Sequence, residues 1–213
     1  MSIKNNISKV CNNYQRNIDD INIVAVSKTI SIEKIEEAIR AGVKVFGENY
    51  IQEAKEKWTI LKSKYPDLKL HFIGHLQSNK VKDAFGLFDC IQSVDSENLA
   101  KEILKLQIKM QKIMPIFIQV NIGSEQQKSG VNLKNIHEFI KYCCLDLGLE
   151  VRGLMAIPPA DHNPSPYFAL LHKIAKENNL KELSMGMSAD YEYAIALGSN
   201  YVRIGTAIFG SRS

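Results

Sequence analysis

Residues 21–29 read Ile-Asn-Ile-Val-Ala-Val-Ser-Lys-Thr, and this stretch decides the fold. A short apolar run rich in Val and Ile is typical of a strand that is buried on both faces. Lys28 would stand where this strand leaves the sheet, and α/β folds bind ligands at the carboxyl ends of their strands. Burial disfavours the ammonium form, and a neutral lysine can form a Schiff base with an aldehyde. The alternative interpretation is a solvated lysine that ends a strand.

Seven further short apolar segments follow, and amphipathic helical segments alternate with them. The segments predicted as strands are 43–46, 68–73, 90–94, 115–120, 151–157, 182–185 and 201–204. Eight strands alternating with helices are typical of a closed (β/α)8 TIM barrel. An open doubly wound sheet competes, but the Gly-rich turn typical of dinucleotide binding does not follow the first strand. We predict an α/β protein with one domain, a TIM barrel over residues 1–213 preceded by an extra helix at 2–17.

Composition excludes several classes of function. The net charge of +4 is mild, and lysines scattered among glutamates give no nucleic-acid-binding surface. The chain has no apolar run of transmembrane length and no secretory signal, so we expect a cytoplasmic protein without membrane contact. Histidines do not cluster with possible ligands, so no metal site is expected. The cysteines lack zinc-site spacing and are expected to be reduced thiols: Cys11, Cys90, Cys143 and Cys144.

In such a barrel, the carboxyl ends of all strands face one mouth. Polar and small residues collect there at the ends of several predicted strands, and carboxylate pairs do not, which disfavours glycosidase chemistry. The residues that we single out as candidates for cofactor binding are Lys28, Asn49, Ser184, Met185, Arg203, Gly205 and Thr206.

Two features at this mouth suggest what it binds. The segments 184–188 and 205–207 carry small residues before helical turns, which is typical of a phosphate site in barrels. Two ordinary turns, with Ser188 as a helix N-cap, are the alternative. Arg203 lies among apolar residues and should point into the barrel, where it needs an acceptor. A structural salt bridge or a heteroaromatic ring nitrogen would satisfy it.

A Schiff-base lysine, a phosphate site and a partner for a ring nitrogen together describe pyridoxal 5′-phosphate (PLP). PLP carries an aldehyde, a phosphate and a pyridine nitrogen. Arginine donates to an unprotonated ring nitrogen, so carbanions are stabilised less than with a carboxylate partner. Arg203 therefore suits a racemase or a carrier better than a transaminase.

Motifs along nearly the whole chain resemble those of a known family. They are Val-Ser-Lys-Thr (26–29), Phe-Gly-Glu-Asn-Tyr (46–50), His-Phe-Ile-Gly-His-Leu-Gln-Ser-Asn-Lys (71–80), Gln-Val-Asn-Ile (119–122), Lys-Ser-Gly (128–130), Gly-Leu-Met (153–155), Leu-Ser-Met-Gly-Met-Ser (183–188) and Val-Arg-Ile-Gly-Thr-Ala-Ile-Phe-Gly (202–210). This set closely resembles the YggS/PROSC family of PLP homeostasis proteins. The resemblance implies a fold-type III barrel like the N-terminal domain of alanine racemase. It also implies PLP on Lys28, phosphate contacts from the Ser-Met-Gly and Gly-Thr motifs, and Arg203 near the pyridine nitrogen.

The resemblance implies a carrier or regulator of the PLP pool, without established turnover, that supplies apo-enzymes. An amino-acid racemase is the alternative, but it needs acid–base groups on both faces of the substrate α-carbon. In alanine racemase a second domain supplies one of them. Past the eighth strand and the segment that it runs into, only residues 210–213 remain, so we expect that domain to be absent, the protein to be a monomer and no residue to be catalytic. A barrel aldolase that uses Lys28 without PLP is a third, weaker hypothesis.

Overall fold

Eight parallel strands close into a barrel in the computed structural model, which describes residues 3–210. The strands are β1 (Asn22–Val26), β2 (Val45–Glu48), β3 (Lys69–Phe72), β4 (Cys90–Val94), β5 (Ile116–Asn121), β7 (Val151–Ala156), β8 (Glu182–Met187) and β9 (Tyr201–Ile204). Each strand pairs with the next, and the pair of β1 and β9 closes the ring. The TIM barrel predicted from the sequence is confirmed.

One strand was not predicted. The two-residue strand β6 (Val131–Asn132) pairs with the end of β5 and stands outside the ring. Gly130 precedes it at φ +122, and a Cβ there would lie 2.5 Å from the backbone nitrogen of Asn121. A strand this short has no hydrophobic period, so the sequence pattern could not reveal it.

Helices alternate with the strands and cover the outside of the barrel. They are α1 (Ile3–Asn13), α2 (Ile32–Arg40), α3 (Ile51–Lys64), α4 (Val81–Leu87), α5 (Glu97–Met110), α6 (Ile136–Lys141), α7 (Ser165–Glu177), α8 (Tyr191–Ala196) and α9 (Thr206–Phe209). The apolar faces of α2 to α7 pack on the strands and form the main core, whereas α1 packs with α8 and β9 in a second cluster. No helix among residues 3–210 has the length and apolar character that crossing a bilayer requires.

The extra N-terminal helix is shorter than predicted. Of the predicted range 2–17, Ser2 lies outside the described residues, and α1 ends at Asn13. The chain then turns, and Arg16 donates hydrogen bonds to the carbonyl oxygens of Ile195 (2.8 Å) and Ser199 (2.5 Å). The first of these carbonyls lies in the last turn of α8 and the second just beyond it, so Arg16 attaches the N-terminal segment to the barrel.

The inward side chains of the barrel form an apolar set and a polar set. Val24, Cys90, Phe117, Met155 and Tyr201 form a buried apolar cluster inside the ring. A second set of inward side chains is buried and polar: His71, Gln92, Ser184 and Arg203. Arg203 follows Tyr201 by two residues, so both point inward and Arg203 lies closer to the carboxyl end of β9.

Candidate cofactor-binding site

A pocket of about 280 Å³ opens at the carboxyl ends of β1, β8 and β9, three neighbouring strands. Four of the residues predicted from the sequence line it together: Lys28, Arg203, Gly205 and Thr206. Met187, Ser188 and Ala189, which follow one another at the end of β8, complete one wall. The order of the strands explains this grouping, because β9 lies between β1 and β8.

Lys28 lies in a tight turn directly after β1. The turn comprises residues 27–30, and the N–H of Ile30 donates to the carbonyl oxygen of Ser27 at 3.1 Å. Thr29 takes a left-handed conformation at φ +62, which β-branched residues rarely adopt. Lys28 is half-buried, as a lysine at the edge of a pocket should be.

Arg203 is almost fully buried, with 4% of its surface exposed, and its guanidinium donates two hydrogen bonds. Nη1 donates to the hydroxyl of Ser184 at 2.8 Å, and Nη2 donates to the carbonyl oxygen of Ala156 at 3.0 Å. Burial lowers the pKa of Arg203 to about 10, and the charge of Asp190 opposes this shift. Arg203 therefore keeps its charge at neutral pH. Within residues 3–210 it forms no salt bridge, so the structural ion pair considered above is not present there.

A chain of hydrogen bonds runs from Arg203 across the barrel interior. The hydroxyl of Ser184, which accepts from Arg203, donates to Oε1 of Gln92 at 2.6 Å. The Gln92 amide then lies 2.8 Å from Nδ1 of His71. Burial lowers the pKa of His71 to about 4, so its ring is neutral and Nδ1 can accept from that amide. Residues of four strands thus fix the orientation of one guanidinium.

The loops after β8 and β9 meet through one side chain. The hydroxyl of Ser188 accepts a hydrogen bond from the N–H of Ala207 at 3.4 Å. Ser188 does not cap a helix, because α8 begins at Tyr191 with Asp190 at its N-cap position. The carboxylate of Asp190 instead accepts from the N–H of Met187 at 2.5 Å. The interpretation of Ser188 as an N-cap is therefore wrong, and both loops face the same pocket.

Gly205 leaves room in the pocket that the protein itself does not fill. Apart from its two chain neighbours, no described residue would lie closer than 3.6 Å to a Cβ at this position, and Val26 is the nearest. Its φ of −110 is one that any residue adopts. Neither backbone conformation nor packing requires glycine here, whereas a ligand close to the backbone would.

Three predicted residues do not line this pocket. Ser184 lies behind Arg203, and Met185 is fully buried in the core, with its backbone N–H directed at the hydroxyl of Ser199 (3.3 Å). Asn49 lines a different pocket, of about 550 Å³, at the ends of β2 and β3. Its buried Oδ1 has no hydrogen-bond partner among the described residues. Gly74 packs against the Asn49 backbone, where a Cβ would lie 2.2 Å from the Asn49 carbonyl oxygen.

A charged cluster next to the Lys28 turn was missed at the level of sequence. Nζ of Lys57, on α3, lies 2.9 Å from Oε1 of Glu48 and 2.7 Å from Oε1 of Glu53. Lys57 is buried, with 9% of its surface exposed. One signal could have revealed it. Lys57 shares the apolar face of α3 with Ala54, Trp58 and Leu61, at helical spacing, and a lysine on such a face needs buried partners.

Three comparisons with known proteins show the family and the fold of this chain. The whole chain, residues 1–213, matches the family model of the alanine racemase N-terminal domain. The chain belongs to this family. A pyridoxal phosphate homeostasis protein of Aquifex aeolicus is 41% identical over 215 residues, which cover 97% of this chain and 93% of that protein. The family expected from the motifs is confirmed.

Solved structures of similar chains have the same fold. A protein from Bifidobacterium adolescentis described as unknown superposes with a TM-score of 0.91 at 31% identity, over 97% of this chain and 91% of that one. PipY of Synechococcus elongatus, solved with PLP bound, superposes with a TM-score of 0.84 at 31% identity. That match covers 96% of this chain and 100% of PipY. This member of the alanine racemase N-terminal domain family is thus similar over its whole length to a PLP-binding barrel.

Proposed function

We propose that this protein binds PLP in the pocket between β1, β8 and β9 and takes part in intracellular PLP homeostasis. The observation that carries the proposal is that one small pocket contains a lysine, a buried arginine and two loops of small residues. The similarity to PipY, which was solved with PLP, supports it. The name pyridoxal phosphate homeostasis protein, borne by relatives that match almost the full chain, supports the cellular role.

The side chains present fit the three functional groups of PLP. When bound, PLP supplies an electrophilic aldehyde, and Lys28 is the amine that would form the Schiff base with it. Arg203 stays charged and would donate toward the pyridine nitrogen, since its pKa of about 10 lies far above neutral pH. The backbone around Gly205 and Thr206 and the segment at Ser188 would hold the phosphate. Ser184 would act by orienting Arg203.

A carrier fits this pocket better than a racemase does. Racemisation needs a second acid–base group opposite the cofactor lysine. Among the described residues, the pocket lining contains no histidine, tyrosine or carboxylate. We therefore propose that the protein has no turnover of its own and that it holds PLP and supplies it to apo-enzymes. We further propose that it works in the cytoplasm as a monomer, with residues 1–213 as one domain.

Absorbance spectroscopy with two lysine variants tests the binding site. Purified protein is mixed with PLP, its imine absorbance is recorded, and the imine is then reduced with borohydride and located by peptide mass spectrometry. We expect the label on Lys28 and its loss in Lys28→Ala. Lys44→Ala is the control, because Lys44 is exposed just before β2, at the opposite end of the barrel. An imine that survives in Lys28→Ala would refute the site. A protein that ignores PLP would leave only the aldolase hypothesis.

Two assays separate the carrier from the racemase. PLP-loaded protein is incubated with L-alanine and the products are analysed by chiral chromatography, and in parallel it is mixed with an apo-enzyme whose activity reports PLP transfer. We expect transfer without racemisation. Steady multiple turnovers to D-alanine would contradict the carrier.

A further inference from the structure

Three charged side chains, Glu48, Glu53 and Lys57, form a cluster that is hydrogen-bonded to the turn that carries Lys28. Nζ of Lys57 donates to the carbonyl oxygen of Ser27 at 2.7 Å and approaches the carbonyl oxygen of Ile30 at 3.5 Å. These two carbonyls are the first and last of the four-residue turn. One ammonium group therefore holds both ends of the turn in place.

The two carboxylates of the cluster hold the rest of the turn. Oε1 of Glu53 accepts a hydrogen bond from the backbone N–H of Thr29 at 2.5 Å. Oε1 of Glu48 accepts from the hydroxyl of Ser27 at 2.7 Å and from Nε1 of Trp58 at 3.1 Å. Both residues that flank Lys28 in the sequence are thus bonded to the cluster.

This cluster explains how the turn keeps an unfavourable conformation. Thr29 has φ +62, and such a conformation in a β-branched residue persists only where the surroundings impose it. The hydrogen bond from Thr29 to Glu53 supplies one such constraint, and Lys57 orients Glu53 through an ion pair of 2.7 Å. Since strained backbone concentrates at functional sites, the position of this strain next to Lys28 is informative.

Stability alone is a weak reason for such a cluster. The carboxylate of Glu48 is fully buried and the Lys57 side chain is 11% exposed, so both charges have lost most of their hydration. Buried ion pairs are often no more stabilising than well-packed apolar side chains of the same size. Every contact between the cluster and the turn, by contrast, restricts the backbone on which Lys28 stands.

We propose that Lys57 is a positioning residue for Lys28, and that it acts together with Glu53 by holding the 27–30 turn in its strained form. The proposal rests on the proposed function, because it assigns Lys28 a reaction with an aldehyde. Lys57 does not line the pocket and does not itself touch the cofactor site. Its effect passes through the backbone of the turn, so it sets how fast and how tightly Lys28 captures PLP.

The test compares Lys57→Met with Lys62→Met. Lys62 lies on the same helix and also donates to a carbonyl oxygen (Leu87, 2.8 Å) and a carboxylate (Asp89, 2.6 Å), but these lie on α4 and just before β4. Imine formation after mixing with PLP is followed by stopped-flow absorbance. We expect it to be roughly 10-fold to 100-fold slower in Lys57→Met, the effect of a reacting group misplaced by about 1 Å. Lys62→Met should match the wild type.

A second readout does not depend on PLP. Reductive methylation with formaldehyde, analysed by peptide mass spectrometry, measures how accessible the Lys28 amine is. We expect methylation of Lys28 to rise in Lys57→Met while imine formation falls, because a loosened turn exposes the amine and misplaces it. Unchanged methylation and unchanged imine formation would overturn the positioning role. If the proposed function is wrong, the wild type itself forms no imine between PLP and Lys28, and this result distinguishes that failure from a failure of the positioning role.

Two further variants keep the test decisive if Lys57→Met folds poorly. Glu53→Ala removes the acceptor of the Thr29 N–H and the partner of Lys57, and Glu53 is partly exposed, so the fold should tolerate the change. It should slow imine formation in the same direction. Adding Thr29→Gly to either variant should restore part of the rate, because glycine adopts a left-handed conformation without help. Equal rates for Glu53→Ala and the wild type would overturn the proposal.

Discussion

Nη1 of Arg203 lies 2.8 Å from the hydroxyl oxygen of Ser184, so two residues of neighbouring strands share a hydrogen bond inside the barrel. The same hydroxyl donates to Gln92 on the far side of the ring. The Ser184 hydroxyl therefore accepts a hydrogen bond from the charged Arg203 and at the same time donates one to the buried amide oxygen of Gln92. It does not line the pocket, yet it fixes the only arginine that does so among residues 3–210.

Ser184→Ala should destabilise the protein. The change leaves one donor of Arg203 and the Gln92 carbonyl oxygen without a partner inside the barrel, and a buried polar group left unpaired costs about 1–3 kcal/mol. The free energy of unfolding, measured by urea denaturation, checks this expectation. We also expect the absorbance of bound PLP to change, because the arginine loses an anchor.

Ser93→Ala is the matched control for that measurement. Ser93 is equally buried, but its hydroxyl has no hydrogen-bond partner among the described residues. Removing it should leave the free energy of unfolding within about 0.5 kcal/mol of the wild type or raise it. Equal losses in both variants would mean that the contact between Ser184 and Arg203 contributes nothing.

His71 should make the stability of the protein sensitive to acid. Burial holds its pKa at about 4, below the usual 6.5, so the unfolded chain binds a proton that the folded protein does not take up between these values. Stability is therefore complete above pH 6.5 and falls as the pH drops toward 4. The difference between these two pKa values corresponds to about 3 kcal/mol in the free energy of unfolding, at roughly 1.4 kcal/mol for each pKa unit.

Urea denaturation at several pH values between 7 and 4 isolates this contribution. His71→Gln cannot titrate, and it should lack about 3 kcal/mol of the loss that the wild type shows on acidification. His162→Gln serves as the control, because His162 lies on the surface, and it should retain the wild-type pH dependence. The same acid sensitivity in His71→Gln and the wild type would show that His71 is not the group responsible.

Gly205→Ala should weaken PLP binding without harming the fold. The added methyl group meets no protein atom closer than 3.6 Å, so the free energy of unfolding should stay within about 0.5 kcal/mol of the wild type. In the loaded protein the methyl group would compete with the cofactor for space, at a cost of about 1–3 kcal/mol, or about 5-fold to 150-fold in affinity. A titration with PLP measures this loss.

Gly86→Ala gives the comparison for this glycine. Gly86 lies on α4, where an added Cβ meets nothing within 4 Å, and the helix should gain up to about 1 kcal/mol. Its affinity for PLP should equal that of the wild type. If Gly205→Ala also binds PLP like the wild type, the 205–207 loop lies outside the cofactor site.

Much of the fold could be predicted because buried parallel strands have an unmistakable composition. Two predicted strands, 90–94 and 201–204, coincide with β4 and β9 as observed. The other six were placed within a few residues, with errors at their ends in both directions. The first strand shows this, since its apolar and hydroxyl residues run on to Thr29 whereas β1 ends at Val26.

The site was predicted less completely than the fold. Lys28, Arg203, Gly205 and Thr206 could be grouped because they lie at or just after the ends of strands that the barrel makes adjacent. Asn49 follows a strand in the same way but faces another pocket, since the direction of a side chain after a strand depends on the turn that it enters. The apolar face of α3 marked Lys57 as a lysine that needs buried partners, but its ion pair with Glu48 joins two different elements and has no sequence period.

The sequence by itself determined the closed barrel and the end of it at which the lysine and the arginine stand. These follow from local composition and from the parallel arrangement of strands, which places all carboxyl ends on one side. Only the tertiary structure decided which side chains share one pocket, which of them stand behind it, and that Lys57 supports the Lys28 turn. Such contacts join residues far apart in the chain, and they depend on how packed side chains satisfy one another's hydrogen bonds in a water-poor interior.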